Sequence, residues 1–213
     1  MHLPDGILTG PVMAGSAVLA AAGVAVGLRR MDADRVPRVG VLSSVFFVAS
    51  LIHVPIPPAS AHLVLNGLVG FLLGWAAFPA LAAALLLQSV LFGFGGLTAL
   101  GANVLSMAAP GVVCHWLFAR RVRATTTPAA VFALAFAGGA VAIALSVLLV
   151  GATLYLSGGE FLGAVGALAV GHIPVLVIEG FVTAFAVTFL HRVRPELLRA
   201  PPPAPAREES PHA

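Results

Sequence analysis

The sequence predicts an all-α polytopic membrane protein of about seven transmembrane helices, with the N-terminus outside and the C-terminus cytoplasmic. Three observations carry this expectation. Of 213 residues, 60% are hydrophobic and only 9% are charged, whereas a soluble domain carries roughly 25% charged residues. Apolar runs separated by short Arg or Gly/Pro segments recur to residue 190, and a spanning helix needs about 20 apolar residues. The third observation is where the charge falls. There is no Lys, and the 11 Arg stand in three clusters. These are Arg29, Arg30, Arg35 and Arg38; then Arg120, Arg121 and Arg123; then Arg192, Arg194, Arg199 and Arg207.

The apolar runs place helices at 8–28, 39–56, 62–77, 79–92, 98–119, 129–156 and 162–190. The third and fourth are short and separated only by Phe78 and Pro79, so one kinked element or a re-entrant pair is the alternative. With seven crossings and the N-terminus outside, every Arg lies on the inner side, as the positive-inside rule requires. The reverse orientation puts every Arg outside, and an even count splits the clusters between the two sides. Residues 1–190 thus form a transmembrane domain. Residues 191–213 form a cytoplasmic tail whose R-A-P-P-P-A-P-A-R-E-E-S-P-H-A segment is too rich in Pro and charge to pack, so disorder is expected there. There is no internal repeat.

No positive charge precedes the first apolar run, which argues against a signal peptide. The expected mature chain therefore starts at Met1 with a free amine. The Arg clusters form no stripe, which excludes a nucleic-acid partner despite the basic balance. Without Lys there is no phosphate-binding loop of the G-x-x-x-x-G-K type, so ATP-driven work requires another subunit. H-E-x-x-H and G-x-S-x-G are also missing, and no catalytic residue is expected. The single Cys114 excludes an internal disulfide and reads as a core residue.

Glu179 is the one carboxylate inside a predicted span. Such a group is a functional candidate, or else a hydrogen-bonded tie between the last helix and a neighbour. Of the seven His, His2, His53, His62 and His172 map to the outer half, and His115, His191 and His212 to the inner side. His115, His172 and His191 read individually as structural. His2 is different because of its position. The Met1 amine, the His2 backbone nitrogen and its imidazole close fused chelate rings of five and six members around one metal. One further imidazole completes a planar four-nitrogen site suited to Ni(II) or Cu(II), and axial ligands extend it to Co(II). His62, after the V-P-I-P-P-A-S-A connection, is the best-placed fourth donor, and His53 at its other end is the second choice.

Two local features have competing readings. G-F-G-G at 93–96 is either a loop closing over the metal or a tight turn, and Asn103 either hydrogen-bonds a site residue or stabilises helix packing. Ala17, Ala21 and Ala25 form a small-residue face on the first helix, expected mainly to serve internal packing and alternatively to meet a partner subunit.

The opening M-H-L-P-D-G-I-L resembles the CbiM/NikM family, the substrate-binding membrane subunits of cobalt and nickel energy-coupling-factor transporters. S-A-H-L at 60–63, G-G-L-T-A-L-G-A-N at 95–103 and G-H-I-P-V-L-V-I-E-G at 171–180 extend the resemblance over residues 1–190. It implies a metal site made by Met1, His2 and a His like His62. It implies as partners a transmembrane coupling subunit, a cytoplasmic ATPase pair and a small accessory membrane chain. Pro57, Pro58 and Ala59 stand where the family often has Gly-Gly-Thr, and cobalt and nickel both stay open. The function expected is capture of the divalent ion on the outer face of the cell membrane for an ATP-driven importer, with no enzymatic activity in the chain itself. The alternatives are a stand-alone secondary carrier using Glu179, and a membrane metalloenzyme using Asp5.

Overall fold

The computed structural model describes residues 2–51, 53–56, 59–158 and 162–198, of which 53–56, 59–62, 162 and 164 are described by backbone alone. Helix α1 (Gly10–Arg29) starts with Pro11 in its first turn, where a missing N–H costs nothing. A single 3₁₀ turn over Ala33–Arg35 leads into α2 (Val36–Leu51). Strands β1 (His53–Ile56) and β2 (Ala59–His62) then pair antiparallel, with His53 opposite His62. Helix α3 (Asn66–Leu73) follows, then a 3₁₀ turn at Gly74–Ala76 and α4 (Ala77–Phe92). Helix α5 (Leu100–Cys114) passes through a π turn over His115–Ala119 into α6 (Arg120–Ala124). Next come α7 (Pro128–Ser157), α8 (Leu162–Gly171) and α9 (Ile173–Val193), ending in a 3₁₀ turn at Pro195–Leu197.

The chain is predominantly helical, as its composition predicts, and among the described residues five stretches are long and apolar enough to cross a membrane: 10–29, 66–92, 100–124, 128–157 and 173–193. Three expectations need correction. The helix expected over 39–56 ends at Leu51, and a β-hairpin replaces the expected helical ends on both sides of Pro57 and Pro58. Proline supplies no N–H and disfavours helix in the residue before it, so V-P-I-P-P cannot continue α2. The helix expected over 162–190 is broken at His172, ahead of Pro174. Finally, α1 buries Ser16, Ala20, Gly23 and Gly27, while Ala17, Ala21 and Ala25 face outward. The stripe of alanines is therefore not the internal packing face, although Ala17 still backs onto Gly101 of α5.

Length and composition alone would take 66–92 as one span, but its packing folds it in two. Asn66, Gly70 and Gly74 meet Met107, Gly111 and His115 in the same order, so α3 runs parallel to α5. In α4, Phe78 and Pro79 lie against Gly23 and Gly27 of α1, and Gln88 reaches His2. The chain thus reverses at Gly74, whose φ of +57° is natural for glycine. One end of the bundle carries the hairpin and the N-terminal segment. The other gathers the arginines: Arg38 donates to the Leu197 carbonyl and Arg123 to that of Leu198.

Small residues set how closely the helices meet. A Cβ on Gly67 would stand 2.8 Å from the Gly139 Cα, and one on Gly70 would overlap the Gly111 backbone. These contacts seat α3 in a groove between α5 and α7, where apolar lipid gives little hydrophobic drive and close van der Waals packing must supply the attraction. Gly70→Ala is therefore expected to destabilise the chain by about 1–3 kcal/mol. Gly166→Ala, where nothing lies within 4 Å of the added methyl, should be neutral. Thermal unfolding of the two variants in detergent checks the contrast.

Candidate functional site

The site is built around the first residues of the chain, which form no helix yet are held at several points. Leu3 is buried, packed among Ala99, Ala102, Val150 and Leu154. Its N–H donates to Asn103 Oδ1 at 2.8 Å, and its carbonyl accepts from Asn103 Nδ2 at 3.0 Å. One amide side chain thus satisfies both backbone groups of Leu3, as a neighbouring strand would. The Gly96 N–H adds a longer bond of 3.4 Å to the same carbonyl. Asp5 Oδ1 accepts from the Thr98 N–H at 3.0 Å, the Thr98 hydroxyl and the Ala99 N–H at 3.3 Å.

G-F-G-G proves to be the bed on which this segment lies. Gly93 ends α4 at φ +68°, and Gly95 turns the chain again at φ +66°. A Cβ on Gly95 would stand 2.8 Å from Asn103 Nδ2 and 3.3 Å from the His2 ring, and one on Gly96 would overlap the Asp5 carboxylate. Of the two readings for Asn103, the hydrogen bond to the site segment holds.

His2 Nε2 lies 3.0 Å from Gln88 Oε1. Gln88 is fully buried, and its partners fix which way the amide faces. Its Nε2 donates to the Phe47 carbonyl at 3.3 Å and to the Ser50 hydroxyl oxygen. The Ser50 hydroxyl proton is itself spent on the Phe47 carbonyl at 2.9 Å, so Ser50 accepts from Gln88. Oε1 is then an acceptor, and the His2 proton sits on Nε2. Nδ1 is the nitrogen that closes a six-membered chelate with the His2 backbone nitrogen.

The hairpin is tied down on both flanks. Ser50, the residue gripped by Gln88, lies three positions before His53. On the far side, Glu179 Oε1 accepts from the Val64 N–H and, at 2.8 Å, from the Leu65 N–H, just after His62. Leu65 has φ +50°, the one positive φ of a non-glycine residue among the described residues. Holding it there costs about 1–2 kcal/mol, and the two hydrogen bonds to Glu179 offset that cost. Glu179 Oε2 has no hydrogen-bond partner among the described residues. Below it, Asn66 Nδ2 donates to the Met107 carbonyl at 3.1 Å and to Ser146 at 2.8 Å.

His2 and its supports are therefore brought together, and the backbones of His53 and His62 are register partners in the hairpin. Met1 and the side chains of His53 and His62 lie outside the described residues. Among the described residues no three His, Cys, Asp or Glu side chains converge as a metal site. His172 is buried, with Nδ1 2.8 Å from the Leu168 carbonyl. Cys114 is a buried core residue, as expected. Gln88 and Ser50 escaped the sequence reading, where their only signal was polarity inside apolar runs.

Residues 2–197 match the CbiM family, described as a cobalt uptake substrate-specific transmembrane region. A metal transport protein of Haemophilus influenzae is 40% identical over 93% of this chain and 97% of its own length. The fused nickel transport protein NikMN of Rhodobacter capsulatus is 35% identical over 98% of this chain and 67% of its own length. A solved transition metal transporter superposes with a TM-score of 0.79 at 26% identity, covering 91% of this chain and 93% of that one.

The Thr98 hydroxyl, with the backbone N–H groups beside it, holds the Asp5 carboxyl below its ordinary value of 3.8. The charged form is the one bound, so this part of the docking persists at neutral pH and is lost as pH falls below that value. Hydrogen exchange should find the Thr98 and Ala99 amides protected at pH 7 and less so near pH 3. Gly96→Ala, which displaces the carboxylate, should abolish that protection at every pH.

Proposed function

This chain belongs to the CbiM family of cobalt-uptake substrate-specific transmembrane proteins, and from that premise we propose that it captures a bare Co(II) or Ni(II) ion on the outer face of the membrane for an ATP-driven importer. The chain is a multi-pass membrane protein of a cobalt and nickel uptake family. The observation that carries the reading is the docking of His2. Its Nε2 lies 3.0 Å from Gln88 Oε1, which orients the ring, and Nδ1 is the nitrogen a six-membered chelate uses. The ligands we assign are the Met1 amine, the His2 backbone nitrogen and Nδ1, and the imidazole of His62. An all-nitrogen donor set suits Ni(II) and Co(II), and planar coordination favours Ni(II).

In this reading the chain crosses seven times, through α1, α2, α3, α4, α5–α6, α7 and α8–α9. The gathering of Arg30, Arg35, Arg38 and Arg123 at one end supports a cytoplasmic assignment for that end. The hairpin and the N-terminus then face outward, and the tail beyond 190 is cytoplasmic. A transmembrane coupling subunit and a cytoplasmic ATPase pair supply the energy, and a small accessory membrane chain completes the complex. The outward small residues Ala21 and Ala25 offer the coupling subunit a surface for close helix approach. The relatives named above are transport proteins, and the chain carries no nucleotide-binding loop, so the ATPase activity belongs to the partners.

A secondary carrier driven by Glu179 is the second reading, favoured by the unmatched Oε2 of that buried carboxylate. Its other oxygen is committed to the backbone at Val64 and Leu65, which favours a structural brace. Reconstitution separates the two: the purified chain alone in liposomes should not accumulate metal against a gradient, and uphill uptake would refute the subunit reading. A metalloenzyme would need Asp5 as acid or base, and that carboxylate is engaged by Thr98 and Ala99.

The chelate is tested by metal content at equal membrane expression. One residue placed before Met1 removes the amine from the five-membered ring and should abolish binding. His2→Ala and His62→Ala should each do nearly the same, and His53→Ala should be milder. Amine and imidazole, with ordinary values of about 7.7–8.0 and 6.5, must lose protons to bind metal, so affinity should fall on acidification.

Gln88→Leu leaves the ligands in place but removes the group that fixes the ring. It should weaken metal binding by about 10–100-fold. Gln88→Glu, which still accepts from Nε2, should recover most of it. Equal affinity of all three proteins, measured by titration calorimetry, would remove Gln88 from the site.

A further inference from the structure

At the opposite end of the bundle a cavity of about 230 Å³ is lined by Arg30, Arg35, Arg38 and Arg123, together with Trp75 and Trp116. Among the described residues no carboxylate lines it. Two ion pairs stand at this end: half-buried Arg35, itself part of the lining, reaches Asp32 only at 3.9 Å, and Arg194 meets Glu196 at 3.3 Å on exposed side chains. Such pairs contribute little. The other arginines are held by neutral partners. Arg30 stands over the Trp75 ring, 5.4 Å from its centroid. Arg38 and Arg123 are steered by the carbonyls of Leu197 and Leu198. Four guanidinium groups from three separate stretches of chain thus face one small space, and among the described residues only Arg35 of the four has a carboxylate partner, at 3.9 Å.

We infer that this cavity seats the phosphate of an anionic lipid headgroup. Guanidinium forks match phosphate oxygens in geometry and charge. The volume is below the roughly 300 Å³ at which small-molecule pockets begin, so a headgroup phosphate fits and a nucleotide does not. The rim selects a lipid over a free anion. Trp116, which lines the cavity, is 60% exposed, and Leu28, Val36 and Leu117 beside the arginines are also exposed. Exposed Trp and aliphatic side chains mark the boundary between headgroups and acyl chains. A phosphate seated here leaves its acyl chains against that apolar surface. Basic pockets between helices are a recurring headgroup site. Occupancy would neutralise the mutual repulsion of the arginines and brace the ends of α1, α2 and α6 together.

The chain has two Trp, and both line this cavity, so intrinsic fluorescence reports on it directly. The full chain is placed in bilayers of phosphatidylcholine mixed with phosphatidylglycerol, either lipid carrying brominated acyl chains as quencher. The expected result is a preference for phosphatidylglycerol of about tenfold, declining as salt is raised. The double variant Arg38→Gln/Arg123→Gln should lose that preference in the mixed bilayers while its quenching in bilayers of brominated phosphatidylcholine alone stays as in the native chain, which shows the bundle intact. If that variant does not incorporate, Arg30→Gln alone should lower the preference several-fold. Equal quenching by the two lipids in the native chain would overturn the proposal. So would abolition of the preference by millimolar inorganic phosphate, which would make a free anion the occupant. A preference that emerges only in Glu208→Gln/Glu209→Gln would likewise overturn it, because the tail carboxylates would then fill the cavity.

Discussion

The pairing of Asn103 with the backbone of Leu3 is the interaction on which the rest of the N-terminal architecture depends. An extended peptide has no internal way to satisfy its N–H and C=O groups, and burying Leu3 without partners would cost about 1–3 kcal/mol for each. Asn103 removes both costs with one side chain. Its place on the first full turn of α5 determines where along the bundle the terminus lies. His2 is then set against Gln88 and Asp5 against the Thr98 turn. Two glycines complete the bed because any Cβ at 95 or 96 would occupy the volume of the segment itself.

The same logic accounts for the buried polar side chains in an otherwise apolar interior. Ser50, Gln88, Asn66, Ser146 and Glu179 are all fully buried, and each is bonded to backbone or to another of the set. They do not form a path across the bundle. Gln88, Ser50 and Glu179 act at the terminus, the end of α2 and the residues just before α3, while Asn66 and Ser146 tie α3 to α5 and α7. Helices satisfy their own backbones in lipid, whereas irregular segments must be satisfied by side chains. Polar residues here are the cost of holding the terminus and the flanks of the hairpin in one place.

Much of this was legible in the sequence, and the reasons differ by feature. Five of the spans follow from long apolar runs, and arginines of the first two clusters meet at one end. The opening M-H-L-P-D-G and the G-G-L-T-A-L-G-A-N stretch carried the family resemblance separately, and in the fold they are binding partners, which is why both are needed. The hairpin was not legible because Val54 and Ile56 alternate with prolines inside an apolar region, and a short apolar run does not distinguish helix from strand. The outward turn of Ala21 and Ala25 was equally hidden. Where every face of a helix is apolar, periodicity no longer tells inside from outside, and only the glycines at 23 and 27 mark the true contact. Gln88 was missed because a lone amide in an apolar run has no spacing to another ligand that would distinguish it.

On the proposed reading, the docking also determines how the ion is released. The N-terminal segment is a strap laid on the wall of the bundle, and its hold can be sized. Burying one Leu side chain is worth about 2 kcal/mol, and the two Asn103 hydrogen bonds about 1 kcal/mol each. A hold of about 4 kcal/mol leaves the strap detached in about one molecule in a thousand at rest. That is firm enough to present the Met1 amine and His2 as a preformed chelate, and weak enough that a modest movement of α5 relative to α4 would undo it. Asn103 and Gln88 sit on those two helices, so any force that slides one past the other pulls the clamp on Leu3 away from the support of His2. Capture and release then use the same contacts, and energy supplied by partner subunits need act only on helix packing, without touching the metal.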